Sequence, residues 1–502
     1  MTNLSKGILD GWEAAMNTIV VLLDTLNRHL LPTYGGDWVK TRNIERLAEK
    51  SVVFDQHWSG SLPCMPARRD LLTGKTAFLE KGWGGIEPFD ETLPNVLRKG
   101  GVFSHIVTDH YHYFATGGEN YCQSFTTWDF HRGQEDDPWH STVSEPEVPE
   151  EHYGRVRAQY ERNRKRFLQE EDYAGPRTMR AACDWLESNS EEDNYFLMVE
   201  AFDPHEPFDC PKHYLDLYQD DYKGPLYNWP NYGDVDVPEE AVAHVRKRYA
   251  ANLTMIDHWL GKLLDTMDRL ALWEDTLFIF TTDHGFLLGE HKKMGKNQMH
   301  VFNELAHIPM MIHVPGSEHN GTRISALTQN IDVMPTILDY MNVPILDQVK
   351  GHSLRGLLEG RMDKVRNAAI YGYHGMAVNV TDGNYTYMRA PRAADNHPCF
   401  TYTAMPTTFR SYLGNQVQEL IETGRFLPYT RFPLFKVPVS RQGESYATNS
   451  QVMETKLYDL SKDYQQQHSI QDAELEARMI RLLKESMLEA NTPLEQFERL
   501  GL

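Results

Sequence analysis

A cysteine stands between two prolines, with an arginine four residues on. "SLPCMPARRD" places Cys64 just ahead of Pro66 and Arg68. Three fates are open to that thiol: a buried structural group, a thiolate nucleophile, or the precursor of a modified side chain. Elsewhere, short apolar runs end repeatedly on an acid or on an acid and a histidine. "IVVLLD" stops on Asp24, "FSHIVTDH" on Asp109 and His110, "YFLMVEAFDPH" on Asp203 and His205, and "LFIFTTDHG" on Asp283 and His284. Carboxylates and imidazoles of this kind suit a hard cation or proton transfer, and "KKMGKN" adds the cation of Lys296. The five cysteines are odd in number, scattered, and contain no C-x-x-C pair. That pattern excludes a disulfide framework and a thiolate zinc site.

Such groups need a scaffold that brings strand ends together. The β-branched runs read as buried parallel strands, and stretches such as "RTMRAACDWLESN" and "RKRYAANLTMIDHWLGKLLDTMDRL" between them read as helices. Alternation of this kind predicts an α/β fold, a large and mainly parallel sheet sandwiched by helices. Ligands of such sheets bind at the carboxyl ends of strands, where the acids and histidines above fall. A helix opening near Pro66 puts Arg68 on the same face as Cys64, while Arg69 points elsewhere, to solvent or to a structural partner. The polar segment 135–171 reads as a solvated insertion or a contact between copies, with a helix over "EEHYGRVRAQYERNRKRFLQEED". After "GHSLRGLLEG" the texture changes to antiparallel strands joined at an Asp-Gly turn, then a charged helix. The expected division is a catalytic α/β domain at 1–370 and a smaller C-terminal α+β region at 371–502.

Bulk properties narrow the class. The chain has 502 residues, 41% of them hydrophobic, and a formal net charge of −21. Such acidity excludes a nucleic-acid backbone or an anionic membrane as main partner, yet permits a small anionic substrate in a local cationic pocket. The N-terminal stretch lacks a basic n-region, a long apolar core and a cleavage site. No apolar run approaches the ~20 residues of a spanning helix. A cytoplasmic protein is expected, and "RFLPYTRFPLFKVPV" with the 135–171 segment would suit a homodimer contact.

Taken in order, "VVLLD", "CMPARRDLLTG", "DPHEPF", "TTDHGFLLGEHKKMGKN" and "NIDVMPTILDYMNVP" resemble the type I sulfatases of the alkaline phosphatase superfamily. Bacterial arylsulfatases and phosphonate monoester hydrolases are the nearest kind, and the resemblance runs from Ile19 to Gly360. It implies an alkaline-phosphatase-like fold and conversion of Cys64 to formylglycine by a maturation enzyme. One hydroxyl of the hydrated aldehyde attacks sulfur, and the second expels sulfate by C–O cleavage. It implies one divalent metal ion held by Asp24, Asp283, His284 and the converted Cys64 side chain, calcium first, with manganese or magnesium as alternatives. Arg68 would hold the modified side chain and an oxyanion. His205 would be a general acid near the leaving oxygen, Lys296 would reach sulfate and the bridging oxygen, and His112 would complete the catalytic set. Two positions depart from the family. Thr25 stands where a second acid is usual, and His110, a substrate-binding position, stands where lysine is usual.

The leading function is hydrolysis of small aryl or alkyl sulfate monoesters. The alternative is a phosphonate monoester or phosphate diester hydrolase using the same site, which Thr25 and His110 keep open. A carbohydrate-sulfate exo-enzyme and a non-catalytic binder on the same scaffold complete the field.

Overall fold

The computed structural model describes residues 16–408, 410–414, 421–439 and 454–502. The first fifteen residues, on which the expectation about a leader rests, lie outside them. Among the described residues eight strands form the main sheet. Their order is Arg323–Gln329, Val52–Trp58, Met310–His313, Thr276–Thr281, Asn17–Leu23, Tyr195–Ala201, Phe103–Thr108 and Thr127–Phe130. Only Met310–His313 runs antiparallel to its neighbours, so the sheet is mainly parallel and mixed. The pleat of Asn17–Leu23 shows why these runs are continuously apolar. Val20 and Leu22 enter one buried cluster, while Ile19, Val21 and Leu23 enter another on the opposite face. Helices cover both faces, as parallel strands require. Cys64–Thr73 and Val333–Tyr340 lie on one side, Ala174–Ser188 and the long Glu239–Arg269 on the other. The fold is α/β with alkaline-phosphatase-like layering. No helix among the described residues is long and apolar enough to cross a membrane.

A second sheet is ordered Lys456–Asp459, Tyr385–Arg389, Val378–Thr381, Ala369–Tyr373 and Ser61–Leu62. The expected hairpin turns at Asp382 and Gly383, between Val378–Thr381 and Tyr385–Arg389. The charged helix Ala473–Glu489 buries Met479, Leu483 and Met487 against this sheet. Its remaining edge comes from far upstream: Gly372 pairs with Ser61 and Tyr373 with Leu62, in parallel. The expected boundary at 370/371 falls inside the strand Ala369–Tyr373.

Two local expectations need correction, and a third is narrowed. The helix carrying the cysteine opens at Cys64, two residues before Pro66. Proline is tolerated there because the first turn of a helix has N–H groups without intrahelical acceptors. Of the two places expected for Arg69, solvent or a structural partner, it takes the second: it is buried and bonded to Asp90 and Glu80. The long helix read over 150–172 is only Ala158–Arg164, with a single 3₁₀ turn at Glu170–Asp172. Gly154 runs against Trp229, whose carbonyl oxygen would lie 2.2 Å from any Cβ there, so the chain before 158 is a packed loop. Asn163 then donates to the Asp137 carbonyl (2.8 Å), tying the short helix to the loop ahead of it.

Candidate active site

The central strands end side by side, so their parallel direction delivers their carboxyl-terminal residues to one edge. Asp24 follows Leu23 directly, and Thr282-Asp283-His284 follow the strand Thr276–Thr281. Gly285 is required next, because a Cβ would stand 1.9 Å from the Glu304 carbonyl oxygen. The helix beginning at Cys64 approaches the same edge. Its first side chain, only 2% exposed, has Sγ 3.2 Å from His284 Nε2, 3.5 Å from Lys296 Nζ and 3.8 Å from Asp24 Oδ1. One ligand atom from each of Asp24, Cys64, Asp283 and His284 lies within 4.8 Å of the others, and all four residues are buried.

Arg68 lies one turn further along that helix and is wholly buried. Its guanidinium donates to Asp24 Oδ2 (2.7 Å), Asp283 Oδ2 (2.6 Å) and Glu200, and to the Cys64 carbonyl (3.2 Å). It thus sits under the carboxylates and fixes their orientation. Burial, with the neighbouring Asp283 charge, raises the Asp24 pKa to about 7. Burial also opposes ionisation of Asp283, but His284, Arg68 and Lys296 hold that carboxyl well below the usual range. Two buried carboxylates whose ionisation is in conflict are a donor set that a divalent cation resolves. His284 is oriented for the same task. Its Nδ1 donates to the Gly285 carbonyl (2.8 Å), which leaves Nε2 as the acceptor facing Cys64, and burial lowers its pKa to about 3. The residues present therefore fit a hard cation.

Thr25 adopts φ 64°, a left-handed conformation that is costly for a β-branched side chain. Partners hold it there. Its N–H donates to Asp283 Oδ1 (3.0 Å), its carbonyl accepts from Tyr249 (2.8 Å), and its hydroxyl donates to Asp24 Oδ1 (2.6 Å).

Above this floor opens a cavity of about 180 Å³, lined by Cys64, Lys296, His205, His112, Glu135 and Arg155 among others. His205 Nδ1 donates to the Glu206 carbonyl (2.6 Å), so Nε2 is its free ring nitrogen. Burial lowers the His205 pKa, while Glu206 and Glu135 pull it upward. The cavity wall also includes His112, with burial lowering its pKa to about 4. His110 does not line the cavity. It is fully buried, packed against the rings of His112, Tyr113 and Phe202, and burial pushes its pKa well down.

Several residues of the site went unread in the sequence. Glu200 accepts from Arg68, Thr108 and Tyr113. An acid inside the apolar run "YFLMVEAF" was a signal, because a buried charge must be paired. Glu135 is the larger surprise, because 135–171 looked like a solvated insertion. Its carboxylate lies 3.3 Å from His112 Nε2 and 3.8 Å from His205 Nδ1. Burial raises its pKa, yet His112, His205 and Arg410 together hold it well below the ordinary range. The segment that it opens also brings Arg155 and Arg157 to the cavity mouth. Tyr227 and Trp229 are core residues, whereas Tyr232, close by in sequence, lines the cavity.

The sulfatase family model matches residues 16–343, most of the chain and all of this floor. The chain belongs to the sulfatase family. As such it is a sulfuric ester hydrolase of the alkaline phosphatase superfamily. An arylsulfatase of Clostridium perfringens is 24% identical over 418 residues, covering 71% of this sulfatase and 81% of the relative. A choline-sulfatase of Rhizobium meliloti is 26% identical over 430 residues, covering 78% and 81%. The structure of a phosphonate monoester hydrolase of Agrobacterium radiobacter superposes with a TM-score of 0.66 at 18% identity, covering 94% of this chain and 95% of that one. The last of these likenesses speaks to the fold alone.

Proposed function

We propose that this sulfatase hydrolyses small aryl or alkyl sulfate monoesters, with Cys64, converted to formylglycine, as nucleophile and one divalent cation bound beside it. The observation that carries the reading is the position of Cys64. Its Sγ lies within 3.8 Å of an imidazole nitrogen, an ammonium and a carboxylate, at the closed end of the cavity. Asp24, Asp283, His284 and the converted side chain would hold the cation, calcium by preference, which would polarise a sulfate oxygen and favour ionisation of the attacking hydroxyl. Lys296 meets the negative charge of the ester, and Cys64 together with the carboxylates of Glu206, Asp24 and Asp283 holds its own pKa above the usual value despite burial. His205, with Nε2 free, delivers a proton to the departing oxygen. Arg68 keeps the two aspartates aimed at the metal position and, through its bond to the Cys64 carbonyl, steadies the helix end that carries the nucleophile.

Phosphonate monoester or phosphate diester hydrolysis is the second reading, and Thr25 favours it. A neutral hydroxyl in place of a carboxylate leaves the floor one negative charge short, which changes the match to the charge of the reacting group. Two measurements test the proposal. Mass spectrometry of the peptide containing residue 64 is expected to show a loss of about 18 Da, thiol to aldehyde. The kcat/KM for an aryl sulfate is expected to exceed that for a phosphonate monoester and a phosphodiester. Enzyme active with an unaltered thiol, or diester turnover above sulfate turnover, would overturn it.

A further inference from the structure

The cavity is small. At about 180 Å³ it is shared by the ester group and whatever the ester carries. The leaving group of an ester seated on the buried Cys64 points away from the floor, towards the more exposed Arg155, Arg157 and Arg410 that line the same cavity. These three cations are not equivalent. Arg157 and Arg410 face Asp136 at 3.7 and 3.9 Å, and Arg410 also faces Glu135 at 3.8 Å. Arg155 has no carboxylate within 4.0 Å among the described residues, although its charge, like those of Arg157 and Arg410, acts on the Asp136 carboxyl from further away. It is nonetheless held in place: its guanidinium lies 4.4 Å from the centre of the Tyr232 ring, and Tyr232 in turn donates to Glu206. Its backbone N–H donates to the Trp229 carbonyl (2.7 Å). A half-buried cation, fixed by stacking and without a contact ion pair, is prepared for an anion. On a chain of net charge −21, such a cluster also gives an anionic ester a locally attractive approach.

We infer that Arg155 receives a second anionic group, a carboxylate or a further sulfate, carried by the leaving group of the substrate. The substrate class is then a sulfate ester with an added negative charge, and a cationic leaving group is disfavoured. This rests on the reading of the site as one for sulfate esters, and the test separates the two.

The probes are 3-carboxyphenyl sulfate and its near-isosteric neutral analogue, 3-carbamoylphenyl sulfate. The wild-type enzyme is expected to prefer the carboxylate by on the order of tenfold in kcat/KM, chiefly through KM. Arg155→Gln is expected to bring that ratio close to one, and Arg155→Lys to recover part of it. The ratio is the readout, so a general loss of activity in either variant does not obscure it. A wild-type ratio at or below one, or a ratio unchanged in Arg155→Gln, overturns the inference and leaves sulfate hydrolysis standing. Calorimetric binding of both probes to Cys64→Ser, which lacks the aldehyde, measures the same preference without turnover. If neither probe is hydrolysed, sulfate hydrolysis falls, while the binding ratio still decides for or against Arg155. If Arg155→Gln does not fold, the wild-type and Arg155→Lys ratios decide.

Discussion

Lys296 Nζ stands 3.1 Å from Thr25 Oγ1, so a neutral hydroxyl meets the ammonium at a point where a carboxylate would complete an ion pair. Thr25→Asp would add a third carboxylate to the Asp24 and Asp283 pair, and aspartate tolerates the left-handed backbone better than threonine. Its affinity for divalent cations is expected to rise by roughly tenfold, the scale of one added charge contact. The check is the gain in thermal midpoint on moving from chelator to calcium, which should be larger in Thr25→Asp than in wild type.

Removing Arg68 leaves three buried carboxylates without their common cation. Arg68→Met is expected to cost about 3–5 kcal/mol of stability, the range for breaking a buried ion pair from one side. Arg68→Lys should recover only part, because an ammonium cannot span Asp24, Asp283 and Glu200 at once. Denaturant midpoints measure the first effect. Activity should fall by at least 100-fold in both variants, since the metal-facing carboxylates lose their alignment.

The pH response of the site follows from Glu135. Its carboxylate favours the protonated form of His205, against burial. Glu135→Gln removes that support, so the His205 pKa moves further down. For an alkyl sulfate, whose poor leaving group needs a proton, the descending limb of kcat/KM should shift to lower pH. An aryl sulfate with a good leaving group should show much less change. Profiles on the two substrates, wild type against Glu135→Gln, are the measurement.

Away from the site, His57 is fully buried, bonded to Thr328 Oγ1 (2.9 Å), and burial lowers its pKa from 6.5 to about 4. The unfolded chain binds a proton at this residue that the folded chain refuses. Its contribution to stability is therefore present above pH 6.5 and is lost as pH falls towards 4, by up to about 3 kcal/mol. His57→Gln should flatten the stability–pH curve in that window, as read by urea unfolding at successive pH values.

The strands and their terminal acids were legible because a buried parallel strand leaves a continuous apolar run that must stop where the chain meets a polar edge. Asp24, Asp283 and His284 stood out for that reason. Arg68 was found by its spacing from Cys64, but its partners were not, since Asp24, Glu200 and Asp283 meet only when strands from three parts of the chain lie side by side. The loop from Glu135 onward was misread on composition. Charged residues usually mark a solvated face, and nothing local distinguishes an acid that folds inward on two histidines. Arg155 was hidden likewise, because loop residues owe their positions to contacts distant in sequence.

The pairing of Ser61–Leu62 with Ala369–Tyr373 constrains the order of events in the life of the chain. The short strand beside Cys64 acquires its partner only after most of the polypeptide has been made, and Tyr373 then also accepts a hydrogen bond from the Asn297 amide next to Lys296 (3.1 Å). Once that strand docks, a thiol 2% exposed is beyond the grip of another protein. If Cys64 is converted as proposed, the converting enzyme would have to act on the growing or unfolded chain, and the late strand would close the interval in which it can do so.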